Sequence, residues 1–247
     1  MLKYRITIEY EGTKYHGWQR QKKLYTVQDE IEKALFRLTK KHIIIYGASR
    51  TDAGVHAYGQ IAHFETDQCY SANSIKNALN YYLKFQAISI TNIALVDKIF
   101  HARFSKKVKR YFYRIINRKS PLTMQTNFAW HILPKINISN IIQASKYIIG
   151  TFDFTSFRAS GCQSQSFIKT INYIEIIRDR HEIKLIFIAE SFLYNQIRIM
   201  VGTLKNFGIN SQLDPLYMKE IIDSKNRRIA GDTAPSCGLY LDQIYYY

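Results

Sequence analysis

The feature that most constrains this chain is a change of hydrophobic period, from two to about 3.6 and back, in the same order in each half. Tyr4, Ile6, Ile8 and Tyr10 alternate with Arg5, Thr7 and Glu9, the pattern of a strand buried on one face. Thr26 then stands where a helix N-cap belongs, ahead of an apolar stripe at Val27, Ile31, Ala34, Leu35 and Leu38. Ile43 to Ala48 reads as a buried strand and Gln60 to Glu65 as another. Ser71 or Ser74 opens a second helix carrying Ile75, Ala78, Leu79 and Tyr82, and Ala87 to Val96 closes as a strand. The order is β-α-β-β-α-β.

The second half repeats the theme. Val108 to Asn117 reads as a strand, and Ser139 to Ile149 as a helix stopped by Gly150. Lys169 to Arg178 and Glu182 to Glu190 form a hairpin across Asp179, Arg180 and His181. A helix from about Phe192 to Phe207 carries Leu193, Ile197, Met200, Val201 and Leu204, with Gly208 as its stop. Asp214-Pro215 starts an extra helix, and Leu239 to Tyr246 is a final strand. The expected class is α+β: two ferredoxin-like, RNP-like halves with antiparallel sheets, helices on one side and a cleft between the halves. The boundary falls between a half at 1–105 and a half at 106–247. In such a layout the uncovered sheet face is free to be lined by Tyr111, Tyr113 and their basic neighbours.

Charge narrows the partner. The formal net charge is +16, which favours a polyanion because each neutralised phosphate releases counterions. A genome bias toward Lys, Ile, Asn and Tyr raises the Lys count equally well, so distribution matters more than the total. Arg103, Lys106, Lys107, Lys109, Arg110, Arg114, Arg118 and Lys119 follow one another without an acidic residue, interleaved with Tyr111, Phe112 and Tyr113. That mixture suits a surface that holds phosphates and stacks bases. Cys69, Cys162 and Cys237 are far apart without a CxxC spacing, so neither a disulfide framework nor a zinc site is expected. No run approaches the roughly 18 apolar residues of a membrane span. The amino-terminal strand pattern leaves no room for a signal peptide, so the expectation is a cytoplasmic protein.

Chemistry concentrates between the second and third strands, at Ala48-Ser49-Arg50-Thr51-Asp52-Ala53-Gly54-Val55-His56. Irregular turns at strand ends are where functional groups are displayed. Ala53 and Gly54 leave space beside the Asp52 carboxylate. Arg50 has two readings, as a partner of that carboxylate or as a contact to nucleic acid. Local chemistry alone reads Arg-x-Asp as a turn-capping aspartate near a surface arginine. Trp18 is read as a packing anchor, His56 and His63 as structural, and Gly12 and Gly17 as turn markers. Arg158 and Lys169 suit an RNA backbone and suit ordinary surface charge equally.

ASRTDAGVHAYGQIAHFET closely resembles the signature of the tRNA pseudouridine synthase A family, enzymes acting on the anticodon arm. EYEGTKYHGWQRQ, FHARFSKKVKRYFYRI, GTFDFTSFRA, FLYNQIRIMVGTL and TAPSCGLYLDQIYY resemble that family's blocks in its order, over nearly the whole chain. The resemblance implies conversion of uridine to pseudouridine at positions 38, 39 and 40 of tRNA, by a homodimer needing no metal and no organic cofactor. It implies that Asp52 is the catalytic carboxylate, that Tyr111 stacks on the target base, that Arg198 pairs with the aspartate, and that Arg50 helps extrude the nucleotide. Each role fits its residue. A carboxylate serves as nucleophile or base, an aromatic platform offsets the cost of unstacking a base, and a guanidinium keeps a neighbouring carboxylate ionised.

Two other classes stay in view. A tRNA-binding protein or chaperone that lost catalysis shares the fold, and intact Asp52, Tyr111 and Arg198 argue against it. A glycosidase-like hydrolase wants a second carboxylate across the bond, and the sequence offers no obvious one. The chain departs from the family pattern at Ser49, where glycine is usual, and at Lys84 and Gln86, which replace a proline and an aspartate. Those changes bear on the bend into the catalytic loop and on the turn after the second helix.

Overall fold

The computed structural model describes residues 1–246; Tyr247, the last residue of the expected second half, lies outside the described residues. The described residues form two compact units, 1–107 with 240–246, and Val108–Leu239.

The first unit follows the expected order: β1 (Leu2–Tyr10), α1 (Val27–Thr39), β2 (Tyr46–Gly47), β3 (His56–Thr66), α2 (Ala72–Leu83) and β4 (Ile88–Val96). β1 is central, antiparallel to both β3 and β4. Its alternation is realised in burial, with Tyr4, Ile6, Ile8 and Tyr10 all in the core. α1 and α2 pack on each other and α2 on β4, burying Ile31 and Leu35 with Ile75 and Leu79. Two local expectations change. The strand expected over 43–48 shrinks to Tyr46–Gly47, because Ile45 donates its amide to the Glu32 carboxylate of α1 (3.1 Å) and so leaves the ladder. Thr26 occupies the N-cap of α1 but makes no capping hydrogen bond, whereas Ser71 caps α2 by accepting from the Ser74 amide.

The chain's last strand, β10 (Leu239–Tyr245), pairs with β3 in parallel, Tyr240 opposite His56 and Leu241 opposite Ala57. Local periodicity identifies such a strand but cannot say where it docks.

The second unit holds β5 (Val108–Asn117), β6 (Trp130–Ile132), α3 (Ile138–Lys146), β7 (Gly150–Asp153), β8 (Ile168–Asp179), β9 (Glu182–Ala189), α4 (Gln196–Ile209) and α5 (Tyr217–Asp223). β5, β9, β8 and β7 pair in that order, all antiparallel, and β6 adds to β5 in parallel. The expected hairpin turns at Arg180 and His181, with Arg180 in the left-handed region. β6 and β7 are too short for a periodic signal and were not expected.

Helix ends also differ. α3 stops at Lys146, before Gly150, which instead begins β7. α4 begins after Asn195 and runs through Gly208 to Ile209. Gly208 is not a stop. A Cβ there would stand 2.8 Å from Ile136 and Ile141, so the glycine is required by close packing against α3 and the segment before it. α5 starts one turn after Asp214, whose carboxylate accepts the Leu216 amide (2.8 Å).

Candidate active-site loop and its partners

The segment between β2 and β3 is laced to the segment after β1. The Trp18 amide donates to the Thr51 carbonyl (3.1 Å), the Gly54 amide to the Tyr15 carbonyl (3.2 Å), and the Val55 amide closes a turn on the Asp52 carbonyl (3.2 Å). Tyr10 and Thr51 join hydroxyls at 2.6 Å, and the Gln60 side chain clamps both the amide and the carbonyl of Ser49. The backbone on either side of Asp52 is therefore fixed by groups outside the loop, which is how a half-buried carboxylate is pre-positioned. The Ser49 side chain is accommodated in this arrangement, because the clamp uses only its backbone.

This lacing explains the glycines. A Cβ on Gly12 would stand 2.0 Å from the Val55 carbonyl oxygen, and one on Gly17 2.5 Å from that of Thr51. Read from sequence as turn markers, both are close-approach positions against the Asp52 loop. Tyr10, Thr51 and Gln60 are positioning residues that the sequence reading missed. The available signal was a glycine pair in an aromatic segment far from the acid it supports.

The histidines have structural roles. His56 is buried, accepts the Gly12 amide at Nδ1 (3.0 Å) and stacks on Tyr240 at 4.7 Å. His63 accepts the Ala102 amide, and burial, then His101 and Lys3, lower its pKa to about 4. Trp18 is buried, as a packing anchor is. Arg50 is exposed.

In the second unit, Tyr111 lies on β5 opposite Phe187 of β9, with its ring edge-on to Phe192 at 5.5 Å. The anticipated basic and aromatic surface is corrected here. Tyr111, Phe112 and Tyr113 are only 6%, 4% and 0% exposed; successive side chains of β5 point to opposite faces, so both faces are covered over this stretch, while β9 pairs alongside all three. Tyr113 donates its hydroxyl to the Pro235 carbonyl (2.7 Å), and burial raises its pKa. Within the basic run, Arg114 grips Glu182 through two parallel bonds of 2.8 and 2.9 Å. That pairing holds the Glu182 carboxyl below its usual range and makes Arg114 a structural cation. Arg158 stacks over Phe167 at 4.1 Å, and Lys169 donates to the Ser166 carbonyl (2.8 Å).

Arg198 sits in the first turn of α4, half-buried. Its Nε donates to the Ala234 carbonyl (2.7 Å) and one Nη to Asn195 Oδ1 (2.9 Å), so the guanidinium has a set direction. Ala234 belongs to a strap over 231–235 that lies on α4. The Gly231 amide donates to Thr203 Oγ1 and the Ala234 amide to the Arg198 carbonyl. Gly202 permits this approach, since a Cβ there would stand 1.8 Å from the Asp232 carbonyl oxygen. Asp52 and Arg50 thus belong to the first unit, Tyr111 and Arg198 to the second.

Among the described residues no helix is long and apolar enough to cross a membrane, and no three His, Cys, Asp or Glu side chains cluster as metal ligands. The cysteines are free.

Comparison with known proteins agrees with the signature in the loop. A family model described as tRNA pseudouridine synthase matches residues 6–105 and 144–247. The tRNA pseudouridine synthase A of Ehrlichia canis is 46% identical over 99% of this chain and its own full length. That of Anaplasma phagocytophilum is 44% identical and that of Wolbachia pipientis wMel 42%, each over 99% of this chain and all of the relative. The chain belongs to the tRNA pseudouridine synthase family, isomerases that convert uridine to pseudouridine in tRNA.

Proposed function

We propose that this protein carries out its family's reaction in the anticodon arm of tRNA, at positions 38, 39 and 40, with Asp52 as the catalytic carboxylate. The observation that carries the reading is the Asp52 loop, whose backbone is held at Ser49, Thr51, Asp52, Gly54 and Val55 while the acid stays half-buried. Such fixing is what an acid needs when it must meet one atom of a bound nucleotide.

In the reaction the bond from C1′ to N1 breaks, the uracil turns, and C1′ bonds to C5. The proton on C5 leaves and N1 gains one, so atoms and electrons balance within the substrate. Asp52 acts as nucleophile or as base in this sequence. Arg198 is assigned as the cation that keeps this carboxylate ionised, a role that a guanidinium held in one direction suits. Arg50 is assigned to extrusion of the nucleotide, for which an exposed guanidinium is suited. Tyr111 is assigned to the target base. At 6% exposure it offers little of its ring as an open stacking platform. A cytoplasmic homodimer completes the reading.

The test is incubation of the purified protein with unmodified tRNA transcripts, followed by mapping of pseudouridine at single-nucleotide resolution. Expected is modification at 38–40, lost in Asp52→Ala while tRNA affinity stays within about threefold, since a general acid or base is typically worth 10²–10⁴ in rate. Full modification by Asp52→Ala refutes the assignment of the acid. Tight tRNA binding without modification by the unaltered protein refutes catalysis and leaves a tRNA-binding protein. Light scattering is expected to give about twice the 29.0 kDa chain mass; an active species of single-chain mass rejects the dimer.

A further inference from the structure

The first unit holds a second feature, which sets Arg50 beside residues that the chemistry above does not use. A cavity of about 380 Å³ opens beside Arg50, walled by β2 on one side and by the turn at 101–104 after β4 on the other. Two large rings stand at its rim, Tyr46 at 49% and Phe104 at 74% exposed. They are joined underneath by two imidazoles in ring contact: Phe104 lies tilted 4.4 Å from His101, His101 meets His63 edge-on at 4.7 Å, and His63 stacks on Tyr46 at 5.2 Å. The rim rings are thereby held in place while much of their surface stays in solvent.

The charge of the cavity has one sign. No Asp or Glu lines it, and the guanidiniums of Arg50 and Arg103 make no ion pair among the described residues. Arg20, also in the wall, is already bonded to Glu32 at 2.7 Å. Arg103 lies over the Phe104 ring at 5.5 Å, and with no ion pair among the described residues its N–H donors are available to an oxyanion. His63 and His101 are both held below their usual pKa by burial first, so they add no charge at neutral pH.

Exposed aromatic faces beside unpaired guanidiniums answer the two parts of a nucleotide, base and phosphate. We infer that this cavity holds one unpaired nucleotide of the RNA substrate, its phosphate on Arg50 and Arg103 and its base on Phe104 or Tyr46. RNA is favoured over a free nucleotide because Arg50 lies only two residues from Asp52, so a strand in the active site passes this cavity. The inference rests on the proposed function for its choice of RNA, and its test involves no turnover.

Affinity of the full-length protein for a labelled unmodified tRNA transcript is measured against salt. The variants are Arg103→Gln, Phe104→Ala and Phe104→Trp, with Lys146→Gln on α3 as a charge-matched control. Phe104→Ala is expected to weaken binding about fivefold or more with an unchanged salt slope, and Phe104→Trp to restore it, as stacking requires. Arg103→Gln is expected to weaken binding and lower the salt slope by about 0.7 to 0.9, one phosphate contact, while Lys146→Gln shifts affinity less than about twofold. Melting temperatures show whether each variant is folded, and the exposure of both side chains predicts that it is. The inference is overturned if Phe104→Ala binds like the unaltered protein, or if Arg103→Gln and Lys146→Gln are indistinguishable. It is equally overturned if millimolar uridine monophosphate displaces the tRNA, or if Phe104→Ala changes the mass in solution, which would make Phe104 a subunit contact. Binding with this signature but without pseudouridine formation upholds the cavity and refutes the proposed function; the reverse result refutes the cavity alone.

Discussion

The Asp52 loop and the Arg198 turn solve one problem, the fixing of a charged side chain, by opposite means. Around Asp52 the protein fixes backbone: amides and carbonyls of the loop are tied to Trp18, Tyr15 and Gln60, and the carboxylate is carried to its place. Around Arg198 the protein fixes the side chain itself, through the Ala234 carbonyl and Asn195. The difference follows from length. An aspartate has two rotatable bonds, so a fixed backbone leaves its carboxylate few positions, whereas a long arginine needs acceptors along its own guanidinium. Both regions depend on a glycine that lets another segment's carbonyl come close, Gly12 in the first unit and Gly202 in the second.

The largest effect that separates the two is expected from Gly12→Ala. Its Cβ would collide with Val55 backbone, which cannot yield without moving the Asp52 turn, so kcat is expected to fall at least a hundredfold, with stability lower by about 3 kcal/mol in urea. Gly202→Ala is expected to cost similar stability, yet to act on the site by displacing the strap that carries Ala234. Retention of full activity by either folded variant breaks the comparison. Arg198→Lys comes next: it keeps the charge and loses the fork, and a ten- to hundredfold loss of kcat with tRNA affinity intact is expected. Activity close to the unaltered protein would mean that charge alone suffices.

His63 sharpens the comparison from a group outside both regions. Its folded pKa of about 4 lies below the ordinary 6.5, so the unfolded chain binds more protons between those values. Stability therefore rises with pH through that window and falls as pH drops from about 6.5 to 4, by up to about 3 kcal/mol. His63→Gln, which keeps an acceptor for the Ala102 amide, is expected to flatten that fall; an unchanged profile in urea denaturation would show that His63 does not carry it. The smallest effect is expected from Thr51→Val. It removes one hydroxyl bond to Tyr10, costing about 1 kcal/mol, with a several-fold loss of kcat because the turn keeps its backbone ties. A loss as large as that of Gly12→Ala would mean that the Tyr10 hydroxyl, and not the lacing, fixes Asp52.

Long periodic segments were legible in the sequence because their signal is local: β1, α1, α2, β5 and the β8–β9 hairpin lie within a few residues of their expected bounds. The loop bearing Asp52 was legible for another reason, its resemblance to a family signature. Gly208 was misread because a glycine that admits a neighbouring segment looks like one that ends a helix. The aromatics of β5 were misread as a surface because alternation with basic residues cannot show that both faces of the strand are covered.

The succession of the long elements and the identity of the charged residues at stake follow from the chain alone, since period and residue type are local properties. Tertiary structure alone decided which rings are buried and where β10 pairs. It also decided which backbone groups hold Asp52 and that Tyr46, Arg50, Arg103 and Phe104 share one cavity. Those facts depend on contacts between segments tens of residues apart, and no local pattern records them.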